Sequence, residues 1–179
     1  MPARTPLRAQ LASFLPADEL EAGHLASITG LLDAPGDVFA RDHFDPGHLT
    51  ASAFVLSPSR ESILLIFHEK LQRWLQPGGH FEPTDADLRG AALREVIEET
   101  GLAGVSGGEL FDVDVHVIPP RKLDPAHCHF DLRVLFVAAD EAFTAGSDAL
   151  AARWVPLDAV DGVGTDESVR RAVRKLLRG

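Results

Sequence analysis

The chain is short of cysteine, of positive charge and of long apolar runs, and each shortage narrows what it can be. Its single cysteine, Cys128, cannot close an internal disulfide, which agrees with a reducing compartment. No apolar run reaches the length of a bilayer span. The first residues carry two arginines, but Gln10, Ser13, Asp18, Glu19 and Glu21 interrupt any secretory apolar core. The protein is therefore expected to be cytoplasmic, with no membrane partner. Lysine and arginine number 17 against 27 acidic residues, a formal net charge of −10. Such a chain repels nucleic acid unless a local basic patch compensates, and no nucleic-acid partner is expected. The cations Arg170, Arg171, Arg174, Lys175 and Arg178 read as the solvated face of a terminal helix, near the end where a helix favours positive charge.

What is present is ordinary globular material. Apolar residues at 45% and charged residues at 25% suit one folded domain with an extension, and are too apolar for a disordered chain. There is no repeat and no low-complexity linker. Residues 6–32 predict helix: Leu7, Leu11, Phe14 and Leu15 form one apolar stripe, Pro16 breaks it, and Leu20, Leu25, Ile28, Leu31 and Leu32 form a second. Residues 33–47, with Pro35, Gly36, Pro46 and Gly47, read as a connector. Strands are expected over 49–56, 62–68, 71–75, 109–118, 127–138 and 152–155. A Pro-Gly-Gly turn falls at 77–79, a helix at 86–100 and another at 166–177. The fold class is α/β (α+β), with a helical extension over 1–45 and a mixed-sheet domain over 46–179.

The segment from Gly78 to Leu102 carries the chemistry. Thr84 or Asp85 can cap the helix, with Asp87 in its first turn, and Gly101 supplies a left-handed stop. Glu95, Glu98 and Glu99 stand at i, i+3 and i+4 and project from one face within a turn. Three such carboxylates repel one another, and Arg94 alone cannot neutralise them. A hard divalent cation can, and carboxylate oxygens with a backbone carbonyl suit Mg²⁺ or Mn²⁺ better than Zn²⁺. The glycine pair lets backbone approach closely enough to offer that carbonyl.

With its preceding Gly-Gly-His-Phe-Glu-Pro turn, this segment resembles the Nudix box, the signature of the Nudix hydrolase superfamily. Arg94 to Leu102 matches the C-terminal half of the pattern in full. The N-terminal half departs from it: the acid six residues after Gly79 is Asp85 instead of glutamate, and the spacer from there to Arg94 is one residue too long. A one-residue bulge before the helix keeps Asp85 at the acid position, where counting back from Arg94 would put Ala86. The Arg153-Trp154-Val155-Pro156-Leu157 segment is also similar to the family.

The resemblance implies an α/β/α sandwich and attack by water on a phosphorus of a diphosphate bridge. By position, Glu95, Glu98 and Glu99 would hold the metal, helped by the Gly78 carbonyl, with one carboxylate orienting or deprotonating the water. Arg94 would fix the carboxylates by ion pairing. The role of the acid at Asp85 is indirect, so its replacement is expected to cost less turnover than that of Glu98 or Glu99. The substrate implied is a small-molecule nucleoside diphosphate derivative, with nucleoside diphosphate sugars and ADP-ribose among the options. The acid usual before the Trp-X-Pro-Leu segment is absent, because position 151 is alanine. Asp140, Glu141 and Asp148 nearby read as loop solubility.

Outside the box, His80 and Glu82 sit in the turn, placed for phosphate or metal-water contact or for simple turn packing. Asp112, Asp114 and His116 alternate along one strand face, as do His127, His129, Asp131 and Arg133 along the next. A solvated sheet face would look the same. If the face lines a cleft, His116, His129 and Arg133 become substrate contacts. His127 and His129 with His116 also offer a Zn²⁺ ligand set, though strand histidines more often form hydrogen bonds. Trp74 reads as packing. Two other classes compete: a catalytically silent Nudix-fold module binding a nucleotide or ADP-ribose, disfavoured because all three box carboxylates remain, and a non-hydrolytic isomerase, disfavoured because Cys128 lies far from the box. The helical extension is compatible with a homodimer or with substrate capping.

Overall fold

The computed structural model describes residues 4–69, 71–121, 124–143 and 151–178. Helices α1 (Arg4–Ser13) and α2 (Glu19–Leu31) are separated by the segment holding Pro16. Asp18 caps α2, its carboxylate accepting from the Glu21 N–H at 2.8 Å. Leu7, Leu11, Ile28, Leu31 and Leu32 face the core. Leu15 and Leu20 do not share it: α1 ends before Leu15, which is left 86% exposed, and Leu20 turns outward in the first turn of α2. No helix among the described residues is long and apolar enough to cross a membrane.

Seven strands form one mixed sheet: β1 (Gly47–Leu56), β2 (Ser62–His68), β3 (Arg73–Leu75), β4 (Gly78–His80), β5 (Val105–Ile118), β6 (His127–Ala138) and β7 (Ala152–Pro156). The order is β3-β2-β1-β6-β5, with β4 added to β1 and β7 to β2. The β1–β6 pair is parallel and the other pairs are antiparallel. All ten residues of β1 are buried: β6 lines one edge, β4 and β2 share the other, and packed layers cover both faces. The Pro-Gly-Gly segment, expected as a turn, thus ends in a strand. A Cβ on Gly78 would lie 2.4 Å from Ser52 Oγ and 2.9 Å from Ser52 Cα, so only glycine lets β4 reach β1.

One sheet face carries Leu49, Ala51, Ala53, Val55, Leu132, Val134 and Phe136 against Ala91, Ala92 and Val96 of α3 (Leu88–Thr100). Residues of α1 and α2 complete this cluster. On the other face Phe54, Ile63 and Leu65 pack with Val155, Val160 and the Val169, Ala172 and Val173 stripe of α4 (Glu167–Leu176). The result is the expected α/β/α layering with a mixed sheet and N-terminal helices. Trp74 packs as expected, on Phe67 and under the Arg153 guanidinium at 4.1 Å.

The second face turns polar where α4 meets β5 and β6, and there the structure corrects two expectations. Arg133 is 1% exposed and lines no cleft. Its guanidinium donates to Asp131 Oδ2 (2.8 Å), Asp112 Oδ2 (3.1 Å) and Ser168 Oγ (2.8 Å). Thr50 and Ser52 donate to the remaining Asp131 oxygen at 2.9 and 2.8 Å. Burying a guanidinium is tolerable only when carboxylates saturate it in this way, and a saturated group has nothing left to offer a ligand. Nor is the basic side of α4 wholly solvated. Arg171 grips Asp112 through two nitrogens (2.9 and 2.8 Å), and Lys175 reaches Glu21 Oε1 and the Phe111 carbonyl, both at 2.6 Å. The sheet acids recruit these cations inward and so tie α2, β5 and α4 together.

Candidate active site

The site is built where β4 runs beside α3. Asp87, not Thr84 or Asp85, caps α3 by accepting from the Gly90 N–H at 2.7 Å, and Gly101 (φ 67°) ends it, its N–H bonded to the Ile97 carbonyl at 2.8 Å. The extra residue of the box falls in the loop before the helix. Ala86 is exposed there, whereas Asp85 is buried. Asp85 accepts from Arg94 Nε and Nη2, both at 3.0 Å, and from the Glu82 N–H at 2.7 Å. Arg94 then spends its other donors on the His80 carbonyl (2.9 Å), Glu95 Oε1 (2.8 Å) and Glu98 Oε2 (3.1 Å). One guanidinium therefore joins the loop, β4 and two of the three glutamates. The third, Glu99, accepts from the Gly78 N–H at 3.1 Å.

Electrostatically the cluster is short of positive charge. Burial raises the Glu95 carboxyl above its ordinary value; Arg94 opposes the shift, while Glu98 and Asp85 add to it. The sole guanidinium is already shared among carboxylates, so a cation at Glu95 would relieve the remainder. Glycine lets that carboxylate lie against β4: a Cβ on Gly79 would fall 2.7 Å from Glu95 Oε1. The donors here are oxygens, the chemistry that Mg²⁺ or Mn²⁺ requires, and the residues fit the divalent ion that the box implies.

On its other side β4 presents His80 to a group of rings. His48 on β1 pairs with His129 on β6, their centroids 4.8 Å apart, and His80 lies 5.0 Å from His48 and 5.3 Å from His129. His116 and His127 extend the group at 5.6 and 5.3 Å from His129. Burial, then the neighbouring rings, push the His48 imidazole down to about 4 and that of His129 to about 2. Burial also lowers His80. For His116 burial would lower the value, but the Asp114 carboxylate bonded to it at 3.1 Å raises it overall.

The structure thus gathers Gly78, Arg94, Glu95, Glu98 and Glu99 at one locus, with the exposed Glu82 at its rim, 4.0 Å from the Arg94 Nε. His80, His116 and His129 form the adjoining group, and Arg133 belongs to neither. Asp140 and Glu141 are exposed on the loop after β6, and Asp148 lies outside the described residues. Sequence reasoning missed His48. The alternation of His48, Thr50 and Ser52 against Leu49, Ala51 and Ala53 was the available signal, since residues two apart share a strand face.

The family model described as NUDIX domain matches residues 46–177. A probable DHNTP pyrophosphohydrolase of Lactococcus lactis subsp. cremoris (strain MG1363) is 36% identical over 89 residues, 49% of this chain and 52% of that protein. The chain therefore spans about half the length of this curated relative. A dihydroneopterin triphosphate pyrophosphohydrolase of E. coli superposes with a TM-score of 0.56 at 13% identity, covering 73% of this chain and 96% of that one. An Ap4A hydrolase of C. elegans gives 0.56 at 15% identity, covering 73% and 95%. At these identities the structural likeness is one of fold. The match over residues 46–177, which takes in β4, α3 and every box carboxylate, establishes that the chain belongs to the NUDIX domain family.

Proposed function

We propose that the protein is a Mg²⁺- or Mn²⁺-dependent pyrophosphohydrolase that cleaves the phosphoanhydride linkage of a small nucleoside diphosphate derivative. The observation that carries the reading is Arg94 holding Glu95 and Glu98 beside a glycine strand whose own N–H holds Glu99. When bound, the divalent ion neutralises phosphate charge, lowers the pKa of an attacking water and stabilises charge developing on the phosphorus oxygens. The chain does the positioning. Glu95, Glu98 and Glu99 would hold the ion, with the Gly78 carbonyl as a further ligand. Arg94, anchored by Asp85, keeps two of these carboxylates in register before substrate arrives, so little reorganisation remains for the reaction. Glu98, with a side chain 53% exposed, is placed to orient or deprotonate a water drawn from solvent. Glu82 at the rim and the rings of His80, His116 and His129 supply polar contacts for the rest of the substrate. An acidic protein thereby receives a polyanion through its metal.

The substrate panel follows the site and the relatives: nucleoside diphosphate sugars, ADP-ribose, dinucleoside polyphosphates and dihydroneopterin triphosphate. Released phosphate is measured after phosphatase treatment. Activity should need Mg²⁺ or Mn²⁺ and vanish with EDTA. Glu98→Gln or Glu99→Gln should lower kcat by about two orders of magnitude or more while the fold survives, because glutamine keeps the volume and one acceptor. Unchanged turnover in both variants, or full activity in EDTA, would refute the mechanism. Wild-type protein that binds ADP-ribose in a calorimeter but turns over nothing on the panel would make the chain a silent binding module instead.

A further inference from the structure

The histidine group beside β4 has the geometry of a second ion site, made of a different kind of donor. It draws one residue from each of three strands: His48 from β1, His80 from β4 and His129 from β6. One ring nitrogen of each lies within 4.8 Å of the others. His48 is completely buried. Its Nδ1 faces the His43 carbonyl at 3.2 Å, and a carbonyl can only accept, so Nδ1 carries the proton and Nε2 is left with a bare lone pair. That Nε2 is buried and has no hydrogen-bond partner among the described residues. Leaving such a group unsatisfied is destabilising. An imidazole held by one nitrogen to a backbone carbonyl, with the other nitrogen bare, is how proteins prepare a histidine to ligate metal.

We infer that His48, His80 and His129 form a three-imidazole site for a transition-metal cation of the Zn²⁺ class, distinct from the carboxylate site on α3. The ordinary state of these rings agrees with this: crowding and burial keep them neutral, the form that ligates. Zinc–nitrogen bonds of about 2.0–2.1 Å place ligand nitrogens roughly 3.4 Å apart in a tetrahedral arrangement. The rings must therefore draw in by on the order of 1 Å, and His80 and His129, which are only half-buried, have room to rotate while His48 stays fixed. Three protein ligands leave one coordination position open. Imidazole favours Zn²⁺, Cu²⁺ and Ni²⁺, whereas Mg²⁺ and Mn²⁺ favour oxygen, so β4 would separate two ions by donor type: carboxylates on its α3 side and imidazoles on the sheet side.

The test uses the full chain without a histidine tag, stripped with EDTA and dialysed, and Co²⁺ alone as the probe. One equivalent should produce the intense visible bands of a four-coordinate, nitrogen-ligated ion. Zn²⁺ should displace the bands and Mg²⁺ should not. His80→Gln and His129→Gln should each abolish them and weaken Zn²⁺ binding in a calorimeter by at least the roughly 10–100-fold that follows loss of a group merely orienting a ligand. Glu98→Gln should keep them. His48→Gln should also lose them; because His48 is fully buried, the two half-buried positions carry the test if this variant does not fold. Wild-type protein without such bands, His80 and His129 variants that retain them, or bands that vanish with Glu98→Gln would each overturn the inference. None of these readouts depends on turnover, so the hydrolytic reading stands or falls separately.

Discussion

Asp85→Asn tests the least family-like position of the box. The Asp85 side chain is 4% exposed and that of Arg94 17%. Oδ2 accepts from the Glu82 N–H and from Arg94 Nη2, and Oδ1 accepts from Arg94 Nε. An asparagine can put its oxygen in the first place, which leaves its amide N–H facing the Arg94 Nε–H, donor against donor. The variant loses one charge-assisted hydrogen bond, worth about 1.5–3 kcal/mol, and the ion-pair attraction besides. Breaking a buried pair outright costs about 3–5 kcal/mol, but Arg94 keeps Glu95 and Glu98. The expected loss is therefore roughly 2–4 kcal/mol, or a Tm lower by roughly 4–16 °C in a chain of this size. Urea melts at matched m-value measure it.

The pH dependence gives a second readout of the same substitution. Burial alone would raise the Asp85 carboxyl, but the hydrogen bonds from Arg94 and from the Glu82 N–H outweigh it and hold it below the ordinary 3.8. Stability from a depressed carboxyl is complete above the unfolded value and is lost as pH falls through the folded one. The gap between wild type and variant should thus be flat between about pH 5 and 7 and close below about pH 4. Turnover should fall less than in Glu98→Gln. A variant within about 0.5 kcal/mol of wild type, the range of an uninvolved surface change, would refute the anchoring role.

Gly79→Ala should raise the Mg²⁺ concentration needed for half-maximal activity with little change in Tm. Its Cβ would stand 2.7 Å from Glu95 Oε1 and 2.9 Å from Glu95 Cδ, so the carboxylate must swing away, and an unaltered Mg²⁺ titration would count against Glu95 as a ligand. Arg133→Met leaves Asp112 and Asp131 buried without their main counter-charge. About 3–5 kcal/mol should be lost in guanidinium melts, and a variant that folds normally but has a raised KM would return Arg133 to the substrate.

The chemistry-bearing helix was legible in the sequence because its determinants are local. Glu95, Glu98 and Glu99 share a face through helical periodicity alone, and Gly101 ends α3 by the freedom of its own φ. The alternation along β5 and β6 likewise marked strand faces without any partner being known. The partner of each side chain could not be read this way. Whether Asp85 or Ala86 fills the acid position depended on which of them Arg94 reaches, nine residues from the first and eight from the second. Arg133 reads as a ligand contact on a polar strand face until α4 brings Ser168 against it, and Lys175 reads as solvated until it meets Glu21 at 2.6 Å. His48 joins His129 only through the parallel register of β1 and β6. Periodicity repeats every few residues and leaves its mark in the sequence. Charge pairing and ring clustering depend on distance in space, which tertiary packing alone sets across dozens of residues.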